Sequence, residues 1–205
     1  MFRAVFTGAF IFALMAAPAM GAAPAFKGPD KNPAAAAAGT YKLDRGHSSV
    51  TVKVSHQGLS DYSFRFARFD ASYDYDPKRP SATRVTVTLD PASLDAGDKS
   101  FEENLREPAY FNTAQFTEVK FASTAIRRQK GTNKGTMTGD LTWMGVTRPV
   151  TFAVIYNGSA MSFNRAKMGF SATTTLTRSE WGIKTLLPSV ADKVAVSIEA
   201  EFAKS

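Results

Sequence analysis

Apolar and polar residues alternate with a period of two along most of the chain after Thr40. The alternation is evident at 50–55, 64–75, 85–89, 136–143, 147–156, 168–176 and 193–202. A strand with this pattern presents one apolar and one polar face, which is typical of antiparallel sheets with one solvated side. We therefore predict an all-β domain of about eight antiparallel strands, which can form either a sandwich or a closed barrel.

One segment departs from the strand pattern and predicts a single helical insertion. Ser100 to Glu103 fit a capping box, Phe101 and Leu105 lie four residues apart, and Pro108 ends the segment. These signals predict a short helix from about Ser100 to Arg106.

Two local patterns predict how the strands bend and turn. The apolar parity changes between Phe66 and Phe69, and a one-residue β-bulge near Ala67-Arg68 would keep both sets on one face. Asn157-Gly158 is a strong hairpin signal, so we predict a two-residue turn there.

The first forty residues have the layout of an export signal and a tether. A basic start, an apolar run over 4–16 and the small residues Ala17-Pro18-Ala19 predict a signal peptide over 1–19, cleaved at about 19–25. The alternative is a short membrane anchor. Residues 20–39 are rich in Ala and Pro and predict a flexible linker. The folded domain then covers 40–205, and we expect the mature protein to be periplasmic or secreted.

Composition excludes several kinds of site. The chain has no Cys and 2 His, so disulfides, thiol nucleophiles and His-rich metal sites are excluded, and we expect no metal. The net charge of +7 is compatible with transient contact with an anionic membrane surface. The cations do not form a basic stripe with aromatic residues, so we expect no nucleic-acid partner.

Ordered sequence motifs cover the predicted domain from about 40 to 203. They are DRGHSSV at 44–50, VSHQG at 54–58, DPASLD at 90–95, NLREPAYFN at 104–112, FTEVKFAST at 116–124, GDLTWMGVTRPV at 139–150 and LTRSEWG at 176–182. Together they resemble the YceI-like polyisoprenoid-binding family. Three features differ from the family pattern: Glu102-Glu103-Asn104 replaces Arg-Asp-His in the helix, Glu180-Trp181 stands where Asp and Phe are commoner, and Ala71 stands where Gly is usual.

The resemblance implies a lipocalin-like barrel in the periplasm that binds an isoprenoid lipid, either a quinone or a polyprenyl chain, in an apolar lumen. No catalysis and no cofactor other than the bound lipid are implied, and a homodimer stays open. Inward-facing candidates for the lumen come from the alternating strands and from the last motif. They are Val52, Val54, His56, Phe64, Phe66, Phe69, Ala71, Tyr73, Val87, Phe121, Leu141, Trp143, Phe152, Phe170, Ala172 and Trp181.

Alternatives remain for the lumen and for its polar residues. The aromatic side chains could instead fill the barrel, leaving a stress-response or surface interaction module. His56 is either a headgroup contact, a hydrogen-bonded core residue or the base of a lipid- or amide-modifying enzyme. Arg178 and Glu180 form either an ion pair or Arg–aromatic stack at the rim or a headgroup contact, and His47 fits turn stabilisation beside Asp44.

Overall fold

A computed structural model describes residues 28–205, and the predicted signal peptide lies outside them. The described chain has eleven strands and one α-helix, joined by turns and short 3₁₀ segments. They are β1 (Gly39–Leu43), β2 (Ser49–His56), β3 (Ser60–Phe66), β4 (Phe69–Tyr75), β5 (Val85–Leu89), β6 (Leu94–Asp95), α1 (Lys99–Arg106), β7 (Val119–Arg128), β8 (Lys134–Trp143), β9 (Val146–Ser162), β10 (Arg165–Thr177) and β11 (Val190–Lys204). No helix among the described residues is long and apolar enough to cross a membrane.

The strands form a closed antiparallel barrel, which confirms the all-β prediction and decides between sandwich and barrel. The circuit runs β1-β4-β5-β7-β8-β9-β10-β11 and returns to β1. β11 closes it by pairing with β1 over Phe202–Lys204 and with β2 over Val190–Glu199. The eight-stranded circuit surrounds the apolar faces of its strands, as a barrel of this size requires.

Each of the first three barrel strands is broken into two segments, namely β1/β2, β3/β4 and β5/β6. β2 pairs with β3 and β1 pairs with β4, so both halves of this hairpin bend together. The predicted phase change at Ala67-Arg68 is confirmed, because Phe66 and Phe69 are both buried, but it takes the form of a break between two strands rather than a one-residue bulge. The break is fixed from outside the strand: the Arg68 amide donates to the Ser93 hydroxyl at 2.9 Å and its guanidinium pairs with Asp90 at 2.6 Å.

The predicted turn at Asn157-Gly158 is also wrong. β9 continues through it to Ser162, and the turn lies at Phe163-Asn164, where both residues have positive φ. Gly158, with φ +123°, sits opposite Gly169 where the register shifts by one residue. This is a β-bulge, a second local structure that glycine's freedom at positive φ permits.

The helical insertion is confirmed, with a different start. α1 begins at Lys99, because the carboxylate of Asp98 accepts the Phe101 amide at 2.9 Å and so caps the helix two residues before the predicted Ser100. Leu105 is buried, whereas Phe101 stays partly exposed at 36%.

The described part of the predicted linker packs against the barrel. Asp30 pairs with Ser159 of β9, and Pro33–Ala35 forms a 3₁₀ turn whose Pro33 carbonyl accepts the Tyr75 hydroxyl at 2.8 Å. Ala36 is buried. The expectation of a flexible tether is therefore wrong for 28–38, because β9 extends far enough to pair with this segment; residues 20–27 lie outside the described residues.

We expect Gly139→Ala to destabilise the barrel by about 1–3 kcal/mol, since a well-packed interior resists added atoms. A Cβ at Gly139 would overlap the Ala122 carbonyl oxygen and lie 2.5 Å from Cζ of Phe121. Urea unfolding followed by far-UV circular dichroism measures the change. Gly169→Ala is the control, because its Cβ would meet only Asn157, at 3.5 Å. Equal stability of the two variants would contradict the close contact at Gly139.

Candidate ligand-binding site

The barrel interior contains two apolar cavities arranged end to end. The wide cavity, of about 600 Å³, opens beside α1 and the loop 183–190. The narrow cavity, of about 200 Å³, extends towards the opposite end, where Arg127, Arg128 and Lys134 line it. Cavities of hundreds of Å³ with apolar walls are typical of sites for small molecules and lipids. The barrel is therefore not filled by its own aromatic side chains.

All sixteen predicted lumen residues line one of these cavities, but not the same one. The wide cavity is lined by Val52, Val54, His56, Phe64, Phe66, Phe121, Leu141, Trp143, Phe152 and Trp181. The narrow cavity is lined by Phe69, Ala71, Tyr73, Phe170 and Ala172, and Val87 touches both. The parity change between β3 and β4 thus keeps both apolar sets inside while assigning them to different cavities.

A ring of four side chains marks the boundary between the cavities. Val50, Val87, Met137 and Ile198 line both. Val50 and Ile198 are opposite each other on β2 and β11, while Met137 lies on β8, across the barrel. The three β-branched side chains are stiff at χ1, whereas methionine has flexible torsions. Met137 is the member of the ring that can move aside without moving the backbone.

The wide cavity owes one wall to a segment that sequence reasoning did not assign to the lumen. Phe111, in the coil after α1, is 8% exposed, and its ring centroid lies 5.2 Å from that of Trp143 and 6.0 Å from that of Phe64. Tyr110, Leu105 and Ile183 complete this wall. One sequence signal could have predicted this wall: Tyr110 and Phe111 are adjacent aromatic residues in a coil, and large apolar side chains in a coil indicate that it packs against the core.

A buried carboxylate fixes α1 over the wide cavity. Glu102, 1% exposed, accepts the Ala96 amide at 3.0 Å and pairs with Lys99 at 3.2 Å and Arg106 at 3.3 Å. The Ala96 amide, followed by these two cations, holds the pKa of Glu102 below its usual value. Asn104, which stands where the sequence comparison expected a helix His, is exposed and lines neither cavity.

Arg178 holds the loop 183–191 beside the wide cavity and does not act as predicted. Its guanidinium donates to the carbonyls of Ile183, Val190 and Ala191 at 2.9–3.0 Å. Burial lowers its pKa. The predicted ion pair or aromatic stack is wrong, because three main-chain carbonyls of the returning loop occupy the guanidinium, and Glu180 is exposed. The neighbouring Trp181 is 3% exposed inside the barrel, and its indole N–H donates to the Leu141 carbonyl at 3.4 Å.

The two histidines lie outside the enclosed part of the lumen. His56 ends β2 at the wide opening and is exposed, so the interpretation as a buried core residue is wrong. Among residues 28–205 its ring has no hydrogen-bond partner. The Nδ1 of His47 lies 3.1 Å from a carboxylate oxygen of Asp44, which agrees with turn stabilisation.

Asp44, His47 and Glu201 are close enough together to hold a metal ion. The ammonium of Lys167 already lies between the carboxylates, 2.7 Å from Asp44 and 3.1 Å from Glu201. Its hydrogen bond to Asp44 lowers the pKa of that carboxyl and raises the pKa of Lys167. A second cation would have to displace this ion pair, which joins the bend between β1 and β2 to β10 and β11.

The narrow cavity contains polar groups that lack partners. The buried hydroxyls of Thr83 and Tyr156 make no hydrogen bond among the described residues. Tyr73, deeper inside, stacks on Tyr41 with 5.3 Å between ring centroids, and burial raises its pKa above the usual value for a phenol. Most of the wall of this cavity is apolar, and these buried hydroxyls are among its few polar groups.

Comparison with known proteins assigns the family. A model of the YceI-like domain matches residues 41–202. The chain belongs to the YceI-like family. It is 34% identical over 172 residues to a UPF0312 protein of Shewanella sp. (strain ANA-3), covering 82% of this chain and 90% of that protein.

Solved structures share the YceI-like fold. BcnA of Burkholderia cenocepacia superposes with a TM-score of 0.70 and 25% identity, covering 78% of this chain and 98% of BcnA. A polyisoprenoid binding domain from Saccharophagus degradans, implicated in plant cell wall breakdown, gives a TM-score of 0.61 at 14% identity and covers 80% of this chain and 98% of that domain. The lipocalin-like barrel implied by the sequence motifs is thus confirmed.

The stabilising effect of Glu102 should depend on pH in a defined direction. Because its pKa is lowered in the folded state, its contribution is present above the ordinary pKa of about 4.3 and is lost as pH falls through the folded-state value. Glu102→Gln should therefore lower the free energy of unfolding at pH 7, and the gap to the unmodified protein should shrink in acid. Glu103→Gln, on the exposed side of α1, is the control. A gap that stays constant down to pH 3 would contradict the assignment.

Proposed function

We propose that this protein binds an isoprenoid lipid, either a quinone or a polyprenyl chain, in its barrel and sequesters or transports it in the periplasm without catalysis. The observation that carries the proposal is the apolar lumen, which contains two adjacent cavities that share four lining side chains. The same open space disfavours the alternative of a filled barrel that serves as an interaction module.

The energetics of lipid transfer favour a carrier whose lumen is lined by few polar groups. Transfer of each methylene-sized group from water to an apolar site is worth about 0.8 kcal/mol, so a long chain gains a large total from burial. The competing solvent is a bilayer, which offers the same environment. The lumen therefore needs to match a membrane rather than exceed it, and apolar walls such as those of Val52, Phe121 and Leu141 meet that need.

One further observation and one sequence prediction support the proposal. A structurally similar domain from Saccharophagus degradans is described as polyisoprenoid binding. The export signal predicted over 1–19 would bring the chain to the compartment that we propose.

The position of His56 favours binding over turnover. A histidine acting as a base needs a partner that orients it, and the His56 ring at the wide opening has no hydrogen-bonded carboxylate among the described residues. A hydrolase of lipids or amides would lose its activity in His56→Ala, whereas a carrier would at most bind its lipid more weakly.

Native mass spectrometry of the protein purified from its own host tests the proposal directly. We expect a non-covalent mass that solvent extraction releases and fragmentation identifies as a prenyl lipid. Repeatedly lipid-free protein that also fails to take up added prenyl lipid would contradict the proposed function.

The ring between the cavities yields a second prediction, about chain length. Farnesol is short enough to use one cavity, whereas solanesol must pass the ring. Met137→Trp should lower the ratio of bound solanesol to bound farnesol by about tenfold, which corresponds to about 1.4 kcal/mol, and Met137→Ala should raise it. Native mass spectrometry after incubation with an equimolar mixture measures the ratio.

Leu141→Trp is the matched control for this experiment, because Leu141 lines the wide cavity alone. It should reduce binding of both alcohols and leave their ratio near that of the unmodified protein. Unchanged ratios in both Met137 variants would show that the ring does not separate the two parts of the lumen.

A further inference from the structure

The fold collects positive charge at one end of the barrel. We call this the narrow end, because the narrow cavity reaches it. Alternate turns of an antiparallel barrel meet at the same end, so segments far apart in sequence lie together here: 28–39, 74–84, 127–134, 160–166 and 203–205. These segments contain ten lysines and arginines and three aspartates.

The rest of the described chain has the opposite balance. Outside the narrow end, residues 28–205 contain thirteen lysines and arginines against fifteen aspartates and glutamates. The excess of positive charge in the folded domain is therefore confined to one end, although the sequence shows only scattered cations.

Most cations of the narrow end have no carboxylate partner among residues 28–205. Among residues 28–205, Arg79 is the only one of the ten in an ion pair, with Asp76 at 3.0 Å. Arg127, Arg128 and Lys134 line the narrow cavity, and no carboxylate lines it. The positive charge thus surrounds an approach to the apolar lumen.

Two apolar side chains project from the same end. Phe163, at the tip of the β9–β10 hairpin, is 97% exposed, and Met161 is 70% exposed. Isolated exposed apolar residues are ordinary on protein surfaces. Here they accompany unpaired cations, and an apolar anchor beside basic residues is the combination that binds the interface of an anionic bilayer.

The wide opening is a poorer membrane contact. It also exposes apolar side chains, Leu59 and Leu186, at 81% and 55%. However, Asp98 lines the wide cavity, and the exposed Glu103 and Glu107 lie on and after α1. These carboxylates would repel anionic headgroups.

We propose that the narrow end docks on anionic lipid bilayers, with Phe163 and Met161 inserted among the headgroups and the basic segments facing the anionic lipid. This orientation points the narrow cavity at the membrane, so a lipid can pass between bilayer and lumen without crossing water. The docking surface deepens the proposed function, on which its purpose rests, but vesicle binding can be measured separately from lipid uptake.

The test uses flotation of the full-length protein with vesicles of phosphatidylcholine alone or mixed with phosphatidylglycerol. We expect binding to the mixed vesicles at low salt and release at high salt, because surface charge attraction is screened. The triple variant Lys78→Gln, Lys130→Gln, Arg165→Gln should bind about a hundredfold more weakly, at roughly tenfold or less per charge. None of these three residues lines either cavity.

Matched controls remove the same charge and the same apolar exposure elsewhere. Arg148→Gln, Lys184→Gln, Lys193→Gln changes three cations that have no ion pair among residues 28–205 and lie outside the narrow end, and it should bind vesicles like the unmodified protein. Phe163→Ser should bind about tenfold more weakly, whereas Leu59→Ser, at the wide opening, should not change binding.

Three results would overturn the docking surface. The first is equal weakening of vesicle binding by the two triple variants, and the second is unweakened binding by Phe163→Ser or by the Lys78, Lys130, Arg165 variant. The third is binding to an immobilised acidic polypeptide without binding to vesicles. Native mass spectrometry of farnesol uptake by all variants distinguishes failure of the docking surface from failure of the lipid-binding lumen. Normal uptake with no vesicle binding would refute docking alone, and vesicle binding with no uptake would refute the lumen's function alone.

Discussion

The barrel depends on the double pairing of β11, which meets β1 along one part of its length and β2 along another. A strand can serve two partners in this way only if the chain between them turns aside and returns in register. Asp44 makes that possible: it caps the short turn between β1 and β2 and forms an ion pair with Lys167 on β10. The closure also brings Val50 opposite Ile198, and so places half of the ring that divides the lumen.

The lumen stays hollow because small residues stand among large ones on the inward faces. The Phe121 ring can pack directly against the main chain of β8 because the residue that it meets there is Gly139. The small side chains of Ala71 and Ala172 leave space in the narrow cavity. The breaks in the first three strands have a second effect. As a result, β2, β3 and β6 continue the sheet beyond β11, outside the closed circuit, and α1 with the coil carrying Phe111 packs against them. The wide cavity is therefore covered on this side by α1 and the coil after it rather than by paired strands.

The sequence predicted the parts of the fold that depend on side-chain parity. The proposed lumen residues on the strands line the cavities because a period of two permits only two faces, and one of them was apolar, although His56, at the end of β2, is exposed at the opening. It did not predict features decided by contacts distant in the chain. Gly158 lies in a bulge rather than a turn because Asp30 and Gly169 pair around it, and Arg178 meets main-chain carbonyls of a loop whose return path no local pattern specifies. The ring that divides the lumen could not be predicted from the sequence for the same reason, since its four residues come from four different strands.

Charge shows the same difference between chain order and space. Arg127-Arg128, read along the sequence, is an ordinary solvated strand end. In the barrel it stands beside Lys134, across one turn, and at the same end as Arg165 and Lys204. In an antiparallel barrel, alternate turns lie at opposite ends. An excess of lysine and arginine in every second turn therefore produces one positively charged end, even though the sequence contains no long run of basic residues. The molecule thus combines an apolar interior with one basic face, and the end at which a lipid would meet the membrane is decided by the turns rather than by the strands that form the lumen.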